Sequence, residues 1–227
     1  MALALGLVAW SLLANLMIGD TGYVTRNLVV TALALAFARR FGFDLGQLGL
    51  ARATLRPGLS WGLGAMAVVA ALLVVAVLVA DRLAPVAALL ADERAQLPAR
   101  RLAYVATVRI PLGTALFEEV MFRGLLLAAW LRVTSTARAV WWSSAVFGVW
   151  HVAPTMVALE LNSIDVLGAA GIGAVLAAVT VTTVAGIGFT WLRLRSDSLL
   201  APILAHIATN SFALLAAAAA TGPTSTS

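Results

Sequence analysis

The chain has 227 residues, 62% of them hydrophobic and 11% charged, where ordinary soluble domains carry about 25% charged residues. That balance excludes a soluble enzyme and predicts an all-α, polytopic membrane helix bundle of about seven transmembrane helices, with residues 1–227 forming a single membrane-embedded domain. Fifteen arginines and no lysine give a net charge of +5, but they are scattered through short loops and offer no patch for nucleic acid. The absence of Cys excludes disulfides, Cys-metal centres and thiol nucleophiles.

The N-terminus is apolar from Ala2 and has no positive charge before Arg26, so it reads as a first membrane helix rather than a signal peptide. Seven apolar segments follow one another: Ala2–Ile18, Tyr23–Ala38, Leu59–Ala80, Leu102–Leu131, Ala139–Leu159, Val166–Leu192 and Leu199–Ala220. The first two lie near the lower length limit for spanning. Leu83–Ala91 is apolar but too short to span, and either extends helix three or lies along the interface. Gly58-x-x-x-Gly62 and the glycines of helix six, including Gly186 and Gly188, read as sites of close helix packing. Pro154 is expected to bend or end helix five, whereas Pro202 sits in the first turn of helix seven, where a missing N–H costs little. The tail Thr221–Ser227 is polar and expected to fray.

Loops after helices two, four and six hold Arg39, Arg40, Arg52, Arg56, Arg132, Arg138, Arg193 and Arg195. The opposite face holds Arg26, Arg82, Arg94, Arg100 and Arg101 beside Asp20, Asp81, Asp92, Glu93, Glu160 and Asp165. The bias places the first set in the cytoplasm and both termini outside. An Arg-rich chain without lysine suggests a GC-rich bacterial genome, hence a multi-pass protein of a bacterial cell membrane.

The exceptions to apolarity carry the chemistry. Glu118 and Glu119 interrupt helix four in Ala115-Leu-Phe-Glu-Glu-Val-Met-Phe-Arg-Gly124, and the two histidines, His151 and His206, also fall in apolar segments. Charges at membrane depth cost several kcal/mol unless they are paired, solvated by a cavity, or used. At 1.5 Å per residue, Glu118, His151, His206 and Asn210 lie about 20, 18, 10 and 16 Å from the cytoplasmic ends of their helices, within one slab of the membrane. Glu119 and Arg123 are four apart, in the orientation of a structural ion pair, while Glu118 points about 100° away with no partner on its helix. Phe147 and His151 share a face, as do His206 and Asn210. Arg109 has no obvious partner. A zinc-binding His-Glu-x-x-His helix, a Gly-x-Ser nucleophile and an aspartate pair are all missing, so any hydrolysis would have to run on Glu, His and Asn.

Glu118-Glu119-x-x-x-Arg123, Phe147-x-x-x-His151 and His206-x-x-x-Asn210, in that order on successive helices, resemble the CPBP family of type II CAAX prenyl endopeptidases and bacteriocin-processing enzymes, also called Abi. Phe122-Arg123-Gly124 and Leu200-Ala201-Pro202-Ile203 look like the family's usual surroundings, and the likeness covers about residues 102–212. The resemblance implies an intramembrane endopeptidase acting on a membrane-associated peptide or protein. It assigns Glu118 as the base that activates water, His151 as the group that orients it and handles the proton, and His206 and Asn210 as the oxyanion site. Glu119, Arg123 and Phe147 would support them. Family members are classed as metalloproteases, and Glu118, His151 and His206 could supply three ligands to a zinc ion with water as the fourth. An oxyanion role for His206 competes with ligation, so the metal-free reading is preferred. Two alternatives are a non-catalytic bacteriocin-immunity or partner-binding protein, and a proton-coupled transporter, whose repeated halves and matched broken helices are not seen in the sequence.

Overall fold

In hydrocarbon every backbone polar group needs an internal partner, and a helix supplies one within its own segment. The computed structural model describes residues 1–91 and 93–221, and these hold seven principal helices and no strand. Asp92 and the tail residues 222–227 lie outside the described residues. The helices are α1 (Ala2–Ile18), α2 (Tyr23–Arg40), α3 (Arg52–Arg82), α4 (residues 99–131), α5 (Thr136–Leu161), α6 (Ala169–Ser196) and α7 (Leu200–Ala220). The seven expected segments are all present. The largest discrepancy is at the start of α3, which begins at Arg52 rather than Leu59 because a tight turn over Arg52–Thr54 leads into it. The apolar stretch after α3 is a separate short helix, Ala84–Leu90, set off by a turn over Ala80–Arg82.

Four of these helices, α3, α5, α6 and α7, are long and apolar enough to cross a membrane by length and composition alone. Helix α1 is apolar but shorter. Helices α2 and α4 carry more charge than a lipid-facing span tolerates, and α4 is sheltered instead. Every residue from Phe117 to Ala128 is buried. On one side Phe117, Met121, Phe122 and Leu126 pack with Ala4 and Leu7 of α1 and with Phe147 and Trp150 of α5. On the other, Val120, Leu125 and Ala128 meet Ala38, Leu48 and Leu199. A helical stretch that is buried all round is a core element, so Glu118, Glu119 and Arg123 face protein rather than lipid.

Two local devices set the geometry around this core. The first is a break in α5 at His151, one turn before the proline expected to cause it: the helix runs to Trp150 and resumes at Val152. The His151 N–H tightens onto the Gly148 carbonyl, 3.0 Å away, which frees the Phe147 carbonyl for the His151 ring. Pro154 has no N–H to offer the Trp150 carbonyl four residues back. The Ser11 hydroxyl of α1 donates to that carbonyl instead, at 2.7 Å, and ties α1 to the kink. The second device is small-residue packing. A side chain at Gly186 would come within 3.2 Å of the Arg123 guanidinium and 3.1 Å of Ser144, so glycine is what lets α6 close on α4 and α5. Gly58 and Gly62 likewise admit Ser198, Leu200 and Leu204 at the start of α7.

The two ends of the bundle differ. At the arginine-rich end Arg132 donates to the Gly42 carbonyl and to Gln47, and Arg193 to the carbonyls of Gly46 and Gln47. Trp61, Trp130, Trp141, Trp142 and Trp191 gather within the helix turns nearest this end, as residues of a membrane interface do. At the other end Arg109, left without a partner by the sequence, forms a bidentate ion pair with Asp20 at 2.6 and 2.8 Å and lies 4.1 Å from the Tyr23 ring. That partner was hidden because it belongs to the turn between α1 and α2, 89 residues away.

Candidate active site

Helix α4 is not wound uniformly. Val105–Ala115 and Val120–Leu126 are π-helical, with bonds running i to i+5, and Leu116–Glu119 is a short α-helical turn between them. Pro111 within the first stretch cannot supply its own N–H. Such widened turns are rare and concentrate at functional sites. Here they flank the two adjacent glutamates.

The glutamates have separate environments. Glu119 is fully buried, and its Oε1 accepts from Arg123 Nη1 at 3.0 Å and from His206 Nδ1 at 2.8 Å. Arg123, 1% exposed, is packed with its guanidinium carbon 4.0 Å from the Phe147 ring and 5.2 Å from Phe189. Both side chains are thus held by charge, hydrogen bonds and ring faces, although Glu119 Oε2 and Arg123 Nη2 are buried with no hydrogen-bond partner among the described residues. His206 is further held by Phe189, whose ring stacks on it at 5.0 Å and 17°. Phe147 meets both imidazoles edge-on, His151 at 4.6 Å and His206 at 6.2 Å.

Those contacts fix the proton positions on the rings, by inference from the partners. A carbonyl can only accept, so His151 Nδ1, 2.8 Å from the Phe147 carbonyl, carries a hydrogen. Glu119 Oε1 accepts from Arg123 as one half of an ion pair, so His206 Nδ1 also donates to it. In the neutral imidazoles both Nε2 atoms are therefore acceptors. They flank Glu118 Oε2 at 3.9 Å from His151 and 3.8 Å from His206. That oxygen is buried and has no hydrogen-bond partner among the described residues. Three lone-pair atoms from three helices face one another, too far apart to bond directly yet close enough for one water to donate to two of them at ordinary lengths of about 2.8 Å. Asn210, one turn beyond His206 on α7, is half-buried; its backbone carbonyl accepts from the Ala213 N–H, and its side-chain amide makes no hydrogen bond to a described residue. The structure thus brings Glu118, Glu119, Arg123, Phe147, His151 and His206 into one contiguous cluster. It places Asn210 on the adjoining turn of α7, four residues after His206, with no side-chain hydrogen bond to them.

A metal ion suits this donor set in kind, since each Nδ1 is anchored as metal-binding histidines usually are. The spacing does not suit it. Ligands about 2.0 Å from a tetrahedral zinc stand roughly 3.3 Å apart, shorter than the separations here. Among the described residues no group of three His, Asp or Glu side chains is gathered closely enough to hold an ion as it stands.

With this geometry in view the family likeness can be tested directly. Residues 100–212 match the type II CAAX prenyl endopeptidase Rce1-like family. Over this stretch the chain belongs to that family. The match covers α4 through the π-helical turn of α7 and includes every side chain of the cluster. No curated protein and no solved structure matches the chain. The family identifies a CAAX-type protease in general terms, and the four long apolar helices fit a multi-pass membrane protein.

Two participants escaped the sequence reading. Phe189 stacks on His206 but lies in an apolar helix where an aromatic signals nothing. Ser11 holds the kink below His151 from the first helix, outside the matched region, and a lone serine in a span carries no pattern.

Proposed function

We propose that the protein is an intramembrane endopeptidase of the cell membrane in which Glu118 activates a water molecule. The observation that carries this reading is the unpaired, buried Glu118 Oε2 set between two imidazole Nε2 acceptors. Such acceptors suit a molecule that donates hydrogens, and a water's two hydrogens can reach Glu118 and one imidazole.

Glu118 removes a proton from the water as its oxygen bonds to the scissile carbonyl carbon, and the carbonyl electron pair moves onto its oxygen. His151, its Nδ1–H fastened to the Phe147 carbonyl, holds the water's other hydrogen through Nε2. The Asn210 amide donates to the oxyanion. His206 can add a second bond there only when it carries two protons, because its Nδ1–H is engaged by Glu119. The Glu119 carboxylate lies where it balances that extra charge. Return of the proton from Glu118 to the peptide nitrogen as the C–N bond breaks completes hydrolysis to a carboxylic acid and an amine. Correctly placed general-base and oxyanion groups contribute about 10²–10⁴-fold and 10²–10³-fold respectively. No step is routed through a metal.

The test is cleavage of labelled membrane-inserted peptides by protein reconstituted in lipid nanodiscs. The wild type is expected to cut, and Glu118→Gln to lose at least about 10²-fold in rate while melting like the wild type. A well-folded wild type that cuts nothing across a broad peptide set would overturn the reading and favour a role in immunity or partner binding.

A further inference from the structure

Helices α3, α6 and α7 enclose an open groove of about 780 Å³, within the roughly 300–1,000 Å³ of ligand sites. Trp61, Val68, Phe189, Leu192 and Ala205 form its walls. Ser60 and Thr209 also line it, but their hydroxyls are taken by the carbonyls of Arg56 and His206 on their own helices. Along the same α3–α7 seam, between Ala70 and Leu78 on one helix and Phe212 and Ala219 on the other, a second apolar cavity of about 360 Å³ continues the line. An extended peptide segment laid here would leave its N–H and C=O groups unpaired at a cost of several kcal/mol. The seam suits a hydrocarbon chain.

The mouth has a different chemistry. Trp61 and Trp191 meet edge to face, 5.3 Å apart, in the headgroup zone of the arginine-rich end. The Arg195 guanidinium lies 5.8 Å from the Trp61 ring, and the exposed Arg56 stands one helical turn beyond Ser60. We propose that this groove binds an anionic phospholipid, with an acyl chain along the α3–α7 seam against Phe189 and the headgroup phosphate at Arg195 and Arg56. A zwitterionic lipid offers the same phosphate but brings a quaternary ammonium beside the two arginines, which an anionic lipid does not. Phe189, which stacks on His206 with one part of its surface, then meets the lipid chain with another.

Lipid retention measured by native mass spectrometry tests this without reference to peptide cleavage. The probes are phosphatidylglycerol and phosphatidylcholine of equal chain length. The wild type is expected to retain phosphatidylglycerol about fivefold or more over phosphatidylcholine, the worth of roughly one surface arginine toward an anionic headgroup. Arg195→Ala should bring the two lipids within about twofold of each other. A side chain at Gly188 meets nothing within 4 Å, so Gly188→Leu is expected to fold, to fill the groove and to lose both lipids. Gly6→Leu on α1, equally unobstructed, is the control and should bind as the wild type does. Wild-type retention in both Gly188→Leu and Arg195→Ala would overturn the proposal. So would a wild-type dimer that Gly188→Leu dissolves, since the groove would then hold a second copy.

Discussion

Glu118 and Glu119 are neighbours in sequence with opposite obligations, and their contacts show which can be removed without unfolding the protein. Glu119 serves Arg123 and His206 together through one oxygen. Glu119→Gln strands a buried guanidinium and should destabilise the fold by about 3–5 kcal/mol, read as a lowered melting temperature in detergent. The double variant Glu119→Leu/Arg123→Met removes both charges and should recover much of that loss, yet remain inactive because His206 has lost its anchor. The Asn210 side-chain amide makes no hydrogen bond to a described residue, so Asn210→Ala should leave melting unchanged and lower kcat by about 10²–10³-fold if the amide serves the oxyanion. A parallel drop in melting temperature would give Asn210 a structural role instead. The Glu119–Arg123 pair was legible in the sequence because four-residue spacing within a helix is a geometric fact. The bond from Glu119 to His206 was not, because nothing in two separated motifs says which of two adjacent glutamates the imidazole will face.

At the scale of elements, the kink of α5 is what turns His151 toward α4, and it depends on a serine in another helix. Ser11→Ala leaves the Trp150 carbonyl without a donor and should cost about 1–3 kcal/mol. Adding Pro154→Ala restores an N–H four residues on and should return part of that stability, a coupling that a double-mutant melting cycle measures. The sequence placed the break at the proline. The structure puts it three residues earlier, since the effect of a proline falls on the carbonyl of the preceding turn. At the far end the Arg109 guanidinium hydrogen-bonds Asp20 and holds its carboxyl below the usual carboxylate range, outweighing partial burial. A lowered folded value means that this tie is fully present above the unfolded carboxylate range and is lost as pH falls through the lowered one. Asp20→Asn should therefore melt slightly below wild type at pH 7 and converge with it in strong acid. The effect is small because Asp20 is largely exposed.

For the whole molecule, the number and order of the helices could be read from hydropathy alone, whereas the central place of α4 could not. Hydropathy ranks a helix by its own residues, and α4 is embedded by the company of α1, α2, α5 and α7 rather than by its composition. The arginine and tryptophan distribution sets the orientation, and the Cys-free chain allows a direct check. Ser135→Cys should react with an impermeant maleimide only after the membrane is opened, and Thr21→Cys in intact cells; the reverse pattern would invert the topology. The central claim, a water activated by Glu118 without a metal, is met most directly by cleavage of membrane-inserted peptides by wild type and Glu118→Gln, each with and without a strong chelator. The account predicts wild-type cleavage indifferent to chelator and lost in Glu118→Gln. Full cleavage by Glu118→Gln would contradict the role given to Glu118, and cleavage abolished by chelator and restored by zinc would contradict its metal-free chemistry.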